Sequence, residues 1–114
     1  MKKCILLTLI ILFLGMTVAS AHPASLVNAT YDKEKKNLIV SFVHKSSAPA
    51  SHYIDQIKVQ LNKKDVIIQN NFSQEAESGG TFYYKLIDVK AGDKITVTTA
   101  CNKMGKKSAD IVVK

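Results

Sequence analysis

Residues 53–61 read YIDQIKVQL, and their pattern decides the fold class. Ile57, Val59 and Leu61 alternate with Lys58 and Gln60. A period of two puts apolar side chains on one face and polar ones on the other, the mark of a strand covered on one side. Similar runs recur in both directions. Upstream stand residues 38–43 (LIVSFV) and, across the polar stretch DKEKKN, residues 25–31 (SLVNATY). Downstream, the turn Asn62-Lys63-Lys64-Asp65 leads into residues 66–69, and the breaker Gly79-Gly80 precedes residues 81–87 (TFYYKLI). The turn Ala91-Gly92-Asp93 precedes residues 94–100 (KITVTTA), and a polar loop with Gly105 precedes residues 111–113. Seven such runs, with hairpin-like turns and no strong amphipathic helix, predict an immunoglobulin-like β-sandwich. A small closed barrel is the alternative. Residues 73–80 (SQEAESGG), with Glu75 and Glu77, read as the flexible loop.

Composition sets the outer limits. A chain of 114 residues makes one small domain, and 46% hydrophobic against 22% charged residues describes a globular one. The 16 basic residues are all Lys and exceed the 9 acidic ones, a net charge of +7. Without the Arg fork, base-edge readout is disfavoured, and nucleic acid is not an expected partner. No Gly-rich phosphate loop, paired carboxylates or supported Ser-His-Asp spacing is present. Lys33, Lys35 and Lys36 read as a solvated turn, as do Lys103, Lys106 and Lys107.

The N-terminus reads as a secretory signal. Lys2 and Lys3 precede the apolar run ILLTLIILFLG at residues 5–15, and Ala19-Ser20-Ala21 follows with small residues at both recognition positions. A cut after Ala21 is expected, which places the protein in the periplasm or outside the cell. A retained membrane anchor is the rival reading, because residues 4–21 approach spanning length. Removing 21 of 114 residues leaves a domain of 93, residues 22–114, with 14 Lys against 9 acids, a charge of +5. Such a charge attracts small anions. Cys101 becomes the only thiol. A lone exported Cys is buried and inert, paired between chains in a homo-oligomer, or bound to a metal.

His22, His44, His52 and Cys101 all fall at strand ends or in loops, with Met104 three residues after the Cys. Binding groups concentrate at such positions on a rigid scaffold. Imidazole and thiolate together suit iron, copper, zinc or nickel rather than magnesium or calcium. The spacing matches no metal finger, so exposed His and a packing Met remain the plain alternative.

A resemblance sharpens this. His44 together with His52-Tyr53-Ile54-Asp55-Gln56-Ile57-Lys58-Val59 resembles the segment of the superoxide reductase family (desulfoferrodoxin, neelaredoxin) that carries two iron ligands. Gly92-Asp93 and Ala100-Cys101-Asn102-Lys103-Met104-Gly105 resemble the family's closing Cys-Asn-x-His-Gly motif, and His22-Pro23 stands where the family has its first His. The resemblance spans residues 22–105. It implies an immunoglobulin-like sandwich holding iron by equatorial imidazoles and an axial thiolate, with an open position where superoxide is reduced to peroxide. Carried over by position, the metal ligands are His22, His44, His52 and Cys101, and Met104 takes the place of the fourth His. Lys45 is the nearest counterpart of the family's anion-attracting Lys. The loop between His44 and His52 is longer than usual, and the family's Glu before the first His has no counterpart.

These departures bear on the metal. A thioether in place of an imidazole softens the site and brings copper forward as the alternative to iron. A cut after Ala21 would also free the His22 α-amine, with a pKa of about 8, to chelate copper beside its imidazole. A blue-copper protein is disfavoured because no His follows Cys101. The expected activity is one-electron reduction of superoxide, with an unidentified electron donor as partner. The alternative is a non-catalytic copper-binding or protein-interaction module on the same scaffold.

Overall fold

The structure is a computed structural model and describes residues 22–114. The expected signal segment and its cut after Ala21 lie outside the described residues. Seven strands follow one another: β1 (Leu26–Asp32), β2 (Asn37–Val43), β3 (Ile54–Leu61), β4 (Lys64–Asn70), β5 (Gly79–Lys85), β6 (Lys94–Cys101) and β7 (Lys106–Val112). No helix occurs among the described residues. Every pairing is antiparallel, in two sheets of order β1-β2-β5 and β4-β3-β6-β7. Two separate sheets with open edges exclude the closed barrel, and the expected β-sandwich is what forms. Strands one, two and five facing three, six and seven is the immunoglobulin-like arrangement, here with the fourth strand beside the third.

The alternation seen in the sequence builds the core. In β2, Leu38, Val40 and Phe42 point inward, and in β6, Ile95, Val97 and Thr99 do the same. Ile57 and Val59 of β3 meet them and are fully enclosed. Ile54 is also buried, although it lies three residues from Ile57, an odd spacing that strict alternation would put on opposite faces. The β3–β6 register shifts between Ile54 and Gln56, and this bulge turns both side chains inward. The bulge sits two residues after His52, so it also sets how that loop leaves the sheet.

Several boundaries differ from the sequence reading, each for a local reason. The turn at residues 62–65 shrinks to Asn62 and Lys63, both left-handed with φ of 49° and 71°, while Lys64 and Asp65 pair with Leu61 and Gln60. Two left-handed residues match the twist of a tight hairpin. Gly79-Gly80 opens β5 rather than breaking it: a Cβ on Gly79 would stand 2.0 Å from the Phe42 carbonyl oxygen, so the missing side chain lets two strands meet. Lys106 to Asp110 belong to β7 rather than to a polar loop. They pair with β6 through their backbones, and their polar side chains face out from an edge strand. Residues 73–80 are not a free loop, because Gln74 in their midst is buried and hydrogen-bonded.

Candidate metal centre

One end of the sandwich gathers three imidazoles. His22 precedes β1, His44 directly follows β2, and His52 stands just before β3. The ring centroids lie 4.9 Å (His22–His44), 5.2 Å (His22–His52) and 4.8 Å (His44–His52) apart. One ring nitrogen from each lies within 4.8 Å of the other two. A metal about 2.1 Å from each nitrogen needs them roughly 3–3.5 Å apart, so side-chain rotations of about an ångström close the set.

The local chain holds each ring. The Ser46 hydroxyl donates to the His52 carbonyl at 2.6 Å and accepts from the Ala48 N–H at 3.2 Å. The Ser51 and His52 N–H groups both donate to the Ala48 carbonyl, which curls the loop so that His52 faces back toward His44. Asn102 clamps the far side: its Oδ1 accepts from the Tyr53 N–H, and its Nδ2 donates to the Ser51 carbonyl. Gly105 (φ 90°) lies against Pro23, where a Cβ would come within 2.9 Å of the proline ring. The loop between β6 and β7 thereby supports the segment that carries His22.

His44 is fully buried, and both its ring nitrogens face oxygens: Nδ1 at 2.7 Å from Gln74 Oε1, and Nε2 at 3.1 Å from the His22 carbonyl. A neutral imidazole donates from only one nitrogen, so the other sets a lone pair against a carbonyl unless a proton or a metal lies there. His52 Nε2 is buried with no partner among the described residues. Burial lowers the His52 pKa, and the charges of His44, His22 and Lys103 lower it further. The lowered pKa favours the neutral form, which is the form that binds metals.

The remaining expected residues are placed differently. Cys101 is a buried free thiol at the end of β6, and its sulfur accepts from the Lys103 N–H at 3.4 Å. It lies at the same end of the fold but is not part of the three-His cluster. Met104 is 66% exposed. Lys45 is exposed and lines an open cleft of about 530 Å³ with His22, Ser46, Ser47, Glu77 and Ser78. Gln74, which holds His44, was not legible as a site residue: a Gln between Ser73 and Glu75 carries no local signal of burial.

No protein-family model matches this chain, and no curated protein matches it. The finding that stands is a β-sandwich whose three converging His residues could hold a metal ion.

Proposed function

We propose that this is an exported transition-metal protein whose centre is built on His22, His44 and His52. The convergence of the three rings, with the His52 Nε2 enclosed and unpartnered among the described residues, carries this reading. A buried polar nitrogen without a partner is costly, and a bound cation removes that cost. We take the metal to be iron and the activity to be the one-electron reduction of superoxide, from the resemblance in residues 22–105. A bound ferrous ion would supply one electron which, with two protons, turns superoxide into hydrogen peroxide and leaves ferric iron. The chain's own contributions are clear. The three imidazoles would hold the ion, and the Cys101 sulfur, which accepts from the Lys103 N–H, would be a further donor that tunes it. The Lys45 ammonium, in the cleft beside His22, draws in the small anion. A donor protein returns the electron.

The position of Cys101 outside the three-His cluster favours a second reading, a copper- or zinc-holding His₃ module without catalysis. Metal content and visible absorption of the protein from an exporting host, beside Cys101→Ser, separate the two. About one iron per chain, with a thiolate band that Cys101→Ser abolishes, supports the reductase reading and calls for superoxide kinetics. Copper or zinc bound equally by both proteins selects the His₃ module. No metal after reconstitution with Fe²⁺, Cu⁺ and Zn²⁺ overturns both.

A further inference from the structure

We propose that Gln74 is the positioning residue of this centre, locking His44 as the Nδ1–H tautomer so that Nε2 is the nitrogen offered to the metal. The inference rests on the metal-site reading above and adds to it a residue from outside the His cluster. The side-chain amide of Gln74 is buried and uses all of its hydrogen-bonding capacity. Its Nε2 donates to the carbonyls of His44 (2.7 Å) and Ala76 (2.8 Å). Its Oε1 accepts from the Ile54 N–H at 3.3 Å. These three contacts decide which end of the amide is oxygen, since the reversed amide would set an oxygen against two carbonyls and its NH₂ group against an N–H.

The fourth contact then has only one reading. Oε1 accepts, so His44 Nδ1, 2.7 Å away, carries the hydrogen. A neutral ring must leave Nε2 bare, so Nε2 is the one nitrogen of His44 able to take a cation; it lies 3.1 Å from the main-chain carbonyl of His22, a lone-pair contact that a cation would relieve. Gln74 is itself held in place, because its main-chain N–H donates to the Pro49 carbonyl. One side chain thus links the end of β2, the start of β3 and the connection between β4 and β5. Orientation of a ligating imidazole through a hydrogen bond to its other nitrogen is a general device of metal sites, and losing it weakens binding on the order of 10- to 100-fold.

Long-range ¹H–¹⁵N spectra of the metal-free full chain at about pH 8, above the ordinary imidazole range, read the His44 tautomer without any substitution. The Nδ1–H form is expected. Zn²⁺ titrations of Gln74→Leu should show binding weaker on the order of 10- to 100-fold. In Gln74→Glu, one oxygen can still accept from Nδ1–H while the other must carry a proton to face the carbonyls of His44 and Ala76, so the Nδ1–H form should persist and zinc binding should fall less than in Gln74→Leu. An Nε2–H form in the unsubstituted protein overturns the proposal even if Gln74→Leu fails to fold. Zinc bound equally by Gln74→Leu and the unsubstituted protein overturns the proposal alone. An Nδ1–H form with no binding of Zn²⁺, Cu⁺ or Fe²⁺ overturns the metal reading as well, and leaves Gln74 as a structural anchor.

Discussion

At the scale of single residues, burial sets what the polar groups can do. His52 has a folded pKa below its ordinary 6.5, chiefly through burial. The unfolded chain therefore takes up this proton first as pH falls. In the metal-free protein the His52 contribution is fully present above the unfolded value and is lost as pH drops through that value toward the folded one. Urea midpoints near neutral pH and about two units lower should fall further for the unsubstituted protein than for His52→Gln. Equal slopes would show that His52 titrates as it does in water. Tyr84 offers the opposite case. Its hydroxyl is buried in the core without a partner among the described residues, and burial alone raises its pKa strongly. Tyr84→Phe removes the unpaired group and keeps the ring, so it should leave stability unchanged or raise it by up to about 1 kcal/mol. A loss of that size on urea unfolding would reveal a partner for the hydroxyl.

Among the elements, the tight β3–β4 hairpin stores visible strain. Lys63 holds φ at 71°, a left-handed conformation that side chains with a Cβ disfavour. The Asn62 side chain is engaged elsewhere, with its Oδ1 accepting from the Lys94 N–H and its Nδ2 donating to Asp93. Lys63→Gly makes the pair Asn-Gly, which suits a two-residue hairpin, and should stabilise the protein by about 1 kcal/mol in urea unfolding. Destabilisation would mean that the Lys63 side chain contributes contacts that outweigh the relief. At the opposite end of β3, the bulge after Ile54 lets a buried strand and the loop that carries His52 share one short stretch of chain. That end of the sandwich is where the three imidazoles meet.

For the molecule as a whole, the His cluster joins segments far apart in sequence: the residues before β1, the β2–β3 loop and, through Gln74, the connection to β5. A metal held by His22, His44 and His52 therefore ties both sheets together at one end and binds only the folded state. At a free metal concentration about 100 times Kd, such binding adds about 2.7 kcal/mol to stability. Thermal unfolding with Zn²⁺ and with EDTA should show a clear rise in Tm with metal, and none for His44→Ala. The same rise in His44→Ala would place the ion elsewhere.

The class of fold and most of its elements are legible in short stretches of chain. Period-two runs such as residues 38–43 and 94–100 can bury their apolar faces only as half-covered strands, and that rule is local. The sequence also marked His22, His44 and His52, because His at strand ends is visible in one dimension. Edge strand β7 was missed over Lys106 to Asp110, since an edge strand is held by backbone pairing, which leaves no apolar trace. Gly79-Gly80 was mistaken for a break because only the packed structure shows Phe42 pressed against it. Folding alone brings the three imidazoles together, leaves Cys101 outside their cluster, and turns Gln74 inward to hold His44. Each of these depends on distances between residues remote in the chain, which sheet packing sets and local composition does not encode.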